Sequence, residues 1–162
     1  MRTLAAAALF ILLLGCAQAP DRLESPRMAV RSAIENDKVY FTFFIVAGLR
    51  NNHSDRVIRE MAGTLYFRDE SGTLEKSPVT AIPFSVKDVF PFETAILKLE
   101  AWGGEEQCRP LLGLLKIDPD GLIKAGTAED IFIDEKILKL DVSTFKTEKI
   151  YSVLKGSSNA KD

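Results

Sequence analysis

The chain has 162 residues, of which 27% are charged and 46% apolar, and a formal net charge of -2. That balance is globular rather than disordered and leaves no basic footprint, so nucleic acid is not an expected partner. One histidine and two cysteines are too few to build a tetrahedral zinc site from its usual ligands, and no metal or cofactor is expected.

Arg2 precedes an uncharged apolar run, Leu4 to Leu14, of secretory length. The run is too short for a membrane span, which needs about 20 helical residues to cross roughly 30 Å of hydrocarbon. Alone it fits an ordinary signal peptide cut after a small residue, or a short anchor that stays. It ends Leu13-Leu14-Gly15-Cys16, which resembles the lipobox of bacterial lipoprotein precursors. The resemblance implies cleavage between Gly15 and Cys16, with diacylglycerol on the Cys16 thiol and three acyl chains in all. Two or more such chains, such as palmitate, hold a protein stably to a bilayer at about 0.8 kcal/mol per buried methylene. It also implies a periplasm-facing protein of the cell envelope. Ala17 stands where an aspartate would favour inner-membrane retention, so the outer membrane is favoured.

The expected organisation is a signal peptide at 1–15, a tether at 16–27, a β-sandwich at 28–155 and a polar tail at 156–162. The tether carries Pro20 and Pro26 in a polar setting. Removing the signal leaves 147 of the 162 residues, enough for one domain with a real core. Cys108 then has no intramolecular disulfide partner, and the expectation is a sheltered thiol acting as a small hydrophobe; an intermolecular disulfide is the alternative.

Met28 to Ile34 alternates weakly and runs into a turn-like cluster, Glu35-Asn36-Asp37-Lys38. Val39 to Leu49 is rich in β-branched and aromatic residues and is the clearest strand, so the two segments predict a first hairpin. Arg50 to Arg56 is a polar loop. Val57 to Arg68 alternates, with Val57, Met61, Gly63, Leu65 and Phe67 on one face. Asp69 to Gly72 closes it as a turn with Gly72 available for positive φ. Thr73 to Val79 and Ala81 to Val86 read as one or two short strands, placed at a sheet edge by Pro83. Pro91-Phe92-Glu93 is a turn, and Thr94 to Ala101 turns Ala95, Leu97, Leu99 and Ala101 inward.

Trp102 to Arg109 is irregular. Leu111 to Ile117 and Leu122 to Lys124 read as strands joined by an Asp118-Pro119-Asp120-Gly121 turn in which Gly121 takes the left-handed position, with a helix from Pro110 to Leu115 as the alternative. Asp130 to Val142 changes parity at Asp134-Glu135-Lys136, which predicts a bulge or tight turn there. Lys149 to Leu154 is a last short strand. Many short strands with turn chemistry between them predict an all-β protein, an immunoglobulin-like antiparallel β-sandwich.

Three segments carry a second likeness. Val46-Ala47-Gly48-Leu49-Arg50-Asn51, Leu65-Tyr66-Phe67-Arg68-Asp69-Glu70-Ser71-Gly72 and Pro91-Phe92-Glu93 resemble the FxLYD group of bacterial domains, over about sixty residues from Val39 to Leu99. The chain departs by an insertion between Tyr66 and Asp69 and by phenylalanine where glycine is usual before Glu93. The resemblance implies an immunoglobulin-like sandwich in an envelope setting, acting as a structural or interaction module.

No catalytic constellation emerges. Ser54 and Asp55 lie too close in sequence to His53 to imitate a Ser-His-Asp triad. Asp118, Asp120 and Gly121 echo the opening of a calcium loop whose later ligands are missing. Glu105 and Glu106 read as a solvated pair. The expected role is therefore a non-enzymatic binding or assembly module with an envelope protein partner. Phe90, Phe92 and Trp102 are the candidate partner surface; absorption of these rings into the core is the plain alternative. A periplasmic carrier holding a small apolar ligand between its sheets is the second functional reading.

Overall fold

The structure is a computed structural model and describes residues 18–151. The expected signal peptide, the expected cleavage and lipidation site at Gly15 and Cys16, and the expected tail at 156–162 lie outside the described residues. Eight strands run in chain order: β1 (Glu24–Glu35), β2 (Lys38–Arg50), β3 (Arg56–Asp69), β4 (Gly72–Thr73), β5 (Ala81–Val89), β6 (Thr94–Gly104), β7 (Thr127–Phe132) and β8 (Leu138–Lys149). One antiparallel sheet has the order β6-β2-β1-β7; in the other, β3 pairs with β5 and β8, with β4 as a short ribbon on its end. The two pack as an antiparallel β-sandwich. β1, β2 and β6 lie side by side as strands A, B and E do in immunoglobulin-like sandwiches, and β7 beside β1 departs from that order.

Alternation accounts for the core. Phe41, Phe43, Ile45 and Leu49 of β2 are buried with Met28 and Val30 of β1, and meet Met61, Leu65 and Phe67 of β3. The β1–β2 hairpin turns at Asn36 and Asp37, with φ of 51° and 61°, and Glu35 pairs with Lys38. Positive φ at both central residues is the twist-matched two-residue turn that Asn and Asp tolerate. Gly72 takes φ 136° as expected, and Asp69 Oδ1 accepts hydrogen bonds from Ser71 N and Gly72 N. Pro83 lies in β5, whose one strand partner is β3, so its missing N–H faces the open edge.

β1 is longer than its weak alternation predicts. It begins at Glu24, and Leu23 is already buried, so packing starts inside the stretch expected to be tether. The parity change near residue 134 is a sheet crossing: β7 pairs with β1, a 3-10 turn spans Glu135–Ile137, and β8 pairs with β3 in the opposite sheet.

The segment after Trp102 corrects the sequence reading. β6 continues to Gly104, and two helices follow, α1 (Glu105–Leu114) and α2 (Pro119–Ala125). Cys108, Leu111 and Leu112 of α1 are buried and Leu115 packs against the core, a helical spacing of three, four and seven. The alternative helix at Pro110 to Leu115 is therefore nearer than the strand. Asp118-Pro119-Asp120-Gly121 is a helix start rather than a β-turn. Asp118 Oδ2 accepts from Gly121 N at 2.9 Å, Pro119 sits at the first helical position, and α2 closes at Gly126 with φ 79°. The left-handed glycine is Gly126, not Gly121.

Gly63 lies where β8 passes close against β3. β8 carries an extra residue, Ser143, opposite the Ala62/Gly63 step. A Cβ on Gly63 would collide with the Asp141 carbonyl.

Candidate partner surface

Phe90, Phe92 and Trp102 do not form one patch. Phe90 and Phe92 sit on the β5–β6 turn and are 41% and 58% exposed; Trp102, 63% exposed, is near the far end of β6. Eight residues from Thr94 to Trp102 put the ends about 27 Å apart at 3.4 Å per residue. None of the three rings is absorbed into the core.

Trp102 belongs to the outer face of the β6-β2-β1-β7 sheet. Strand pairing sets Thr42 beside Trp102 and Arg31 beside Thr42; in a parallel row Lys98, Val46, Arg27 and Phe132 lie across all four strands. Phe132 is 74% exposed, Ile96 60% and Val46 44%. Arg27 stands 4.8 Å from the Phe132 ring centroid and Arg31 5.1 Å from that of Phe44, within cation–π reach. The Tyr40 and Trp102 rings are tilted at 55° with centroids 6.3 Å apart. The face thus combines apolar and aromatic side chains with Arg27, Arg31 and Lys98, against Glu24 and Glu100.

Sequence reasoning found Trp102 but missed Phe132, Ile96 and Val46. Phe44 and Val46, apolar at even positions of a strand whose odd positions fill the core, were the available signal. Phe132, out of phase with Ile131 and Ile133, was another.

Phe90 and Phe92 are held by a different device. Glu93 N donates to Phe90 O at 3.1 Å across Pro91-Phe92, and Phe92 has φ 61°. Proline second and a positive φ third make a type II turn, whose third residue favours glycine. A bulky side chain there costs on the order of 1 kcal/mol or more. Phe92→Gly is therefore expected to raise the melting temperature by a few degrees, as a thermal scan would read; an unchanged or lower value would remove the strain argument.

Asn51 ties this turn to the β2–β3 loop. It is fully buried, its Nδ2 donates to Arg56 O at 2.8 Å and Val89 O at 2.9 Å, and its Oδ1 accepts from His53 N at 3.0 Å. Its backbone exchanges hydrogen bonds with Phe92 N and Glu93 O. His53 Nε2 lies 3.1 Å from Gln18 O, so the histidine clasps the N-terminal segment. Glu105 pairs with Arg109 at 2.8 Å within α1, and Asp118 caps α2. The described residues contain no group of three or more His, Cys, Asp or Glu placed to hold a metal ion, and no described helix is long and apolar enough to cross a membrane.

Cys108 is buried and free, against Gly103, where a Cβ would stand 3.3 Å from its Sγ. Burial pushes the thiol up to about 11, a Phe41 backbone contact opposing this only in part. The folded state therefore resists forming the thiolate that the unfolded chain forms near pH 9. Stability is expected to fall by about 2 kcal/mol as pH rises from 9 to 11. Urea titrations across that window check it: Cys108→Ala, less stable overall, should lose this part of the slope, and an identical slope would count against the assignment.

Compared with protein-family models, curated proteins and solved structures, the chain matches none.

Proposed function

We propose that this is a lipid-anchored protein of the bacterial envelope that acts as a non-enzymatic docking module, held by acyl chains on Cys16 and facing the periplasm. The outer membrane is favoured by Ala17. The observation that carries the docking role is the four-strand face bearing Trp102, Phe132, Val46 and Ile96 in the open, with Arg27 and Arg31 over aromatic rings. Exposed aromatics with arginine, ringed by polar groups, are the usual energetic centre of a protein interface. Arg27, Arg31 and Lys98 on this face stand against Glu24 and Glu100, a small basic excess that suits a partner with an acidic edge. The FxLYD resemblance belongs to the same proposal, supported by Asn51 bonding Phe92 and Glu93 of the turn that Pro91 opens.

A photo-crosslinking residue at Thr42, in the middle of that face, is expected to capture a discrete adduct in living cells. The same residue at Ser85, exposed on β5 of the opposite sheet, is the control. Adducts from Ser85 alone, or from neither site, would remove the docking face. The carrier reading needs space between the sheets, and that space is filled by Phe41, Phe43, Ile45, Met61, Leu65 and Phe67, so no observation favours it.

A further inference from the structure

The sheet face leaves Phe90 and Phe92 unexplained, and they lie at the end of the sandwich where the chain enters. Three hydrogen bonds in series fix that placement: His53 Nε2 to Gln18 O, His53 N to Asn51 Oδ1, and Phe92 N to Asn51 O. Gln18 follows Cys16 by two residues, a span of at most about 7 Å even when extended. A lipid on Cys16 therefore brings the Phe90–Phe92 turn to the height of the lipid headgroups. Ile96, 60% exposed on the first turn-side residues of β6, adds apolar surface at the same end.

We propose that this end of the sandwich seats in the interfacial layer of the bilayer that holds Cys16, with Phe90 and Phe92 as the inserting side chains. The inference rests on the lipid anchor proposed above. Aromatic rings favour the headgroup region, where an apolar body and a polar rim are both satisfied. Phe92 occupies a turn position that glycine would fill without strain, and the side chain it gains there points out of the fold rather than into it. Arg22 and Arg50 stand among Asp21, Glu24 and Glu93 around the turn, so the lip carries only a small net negative charge. It fits a zwitterionic surface, and its insertion should be insensitive to salt. The anchor would then set the orientation of the domain as well as its address: β6 rises from the membrane and carries Trp102 away from it.

Trp102 is the sole tryptophan and serves as the internal control. Full-length protein is purified from cells fed labelled palmitate and reconstituted into phosphatidylcholine vesicles brominated near the headgroup. The indole introduced by Phe92→Trp, in a Trp102→Phe background, is expected to lose most of its emission, and Trp102 in the unaltered protein to keep its own. Phe90→Trp repeats the measurement should the first variant fold poorly. Labelled protein whose introduced indoles stay bright overturns the insertion while leaving the anchor standing. Equal quenching of Trp102 also overturns it, because the sandwich would then lie on its face. Protein that takes up no label removes the anchor, and the inference with it.

Discussion

Asn51→Ala is expected to lower the unfolding free energy by about 3–5 kcal/mol, the largest loss anticipated for any single polar side chain in the sandwich. The residue is 0% exposed and makes three side-chain hydrogen bonds. Truncation leaves the buried Val89 carbonyl and the part-buried Arg56 carbonyl without that donor, and each orphaned buried group costs about 1–3 kcal/mol. The same residue joins the two loops through which the chain passes between sheets, β2 to β3 and β5 to β6, so the damage extends beyond the pairwise bonds. Asn51→Asp should be worse at neutral pH: both donors vanish and a carboxylate faces two carbonyl oxygens. Acidification should restore part of the loss, since a protonated acid regains one donor. Chemical denaturation of the three proteins at pH 5 and 7 checks this, and an alanine variant within 1 kcal/mol of the parent would show that the junction is not where stability resides.

The second large effect is at Gly63. Its Cβ would collide with backbone, the Asp141 carbonyl at the β8 bulge, not with the end of a flexible side chain. Gly63→Ala must therefore push β3 and β8 apart, at about 2–4 kcal/mol. Gly113 gives the contrast. It lies within α1, exposed, with nothing within 4 Å of the place an added methyl would take, so Gly113→Ala should stabilise by about 0.5–1 kcal/mol through helix propensity. Opposite signs from one chemical change, read by thermal unfolding, are the expected result. Two variants shifting in the same direction would contradict the packing described for the bulge.

Much of the sandwich was legible because β2, β3, β5 and β6 each keep one face apolar. Phe41, Phe43 and Ile45 gave β2, and Pro83 gave the edge. What escaped was set by partners distant in sequence. β1 alternates weakly because only Pro26, Met28 and Val30 of its length are buried, and its strand character comes from pairing on both sides with β2 and β7. The helices escaped for a different reason. Asp118, Pro119 and a later glycine serve equally as a β-turn and as a helix start, and the deciding periodicity, Cys108 to Leu115, was interrupted to the eye by Pro110. That proline sits on the exposed side of α1, as does Glu106, whose carbonyl would have received the missing N–H. The partner surface was half legible: exposed aromatics on a strand are visible as broken alternation, but which strands lie side by side is a property of the fold.

The pairing of β1 with β7 sets the order in which the first sheet can close. Arg27 meets Phe132 across roughly a hundred residues, and contacts so remote are slow to form because loop closure must precede them. A nascent chain emerging amino end first cannot complete this sheet until Phe132 has been synthesised. On the envelope role proposed above, such delayed closure would keep the polypeptide threadable for a secretory pore until the native state locks.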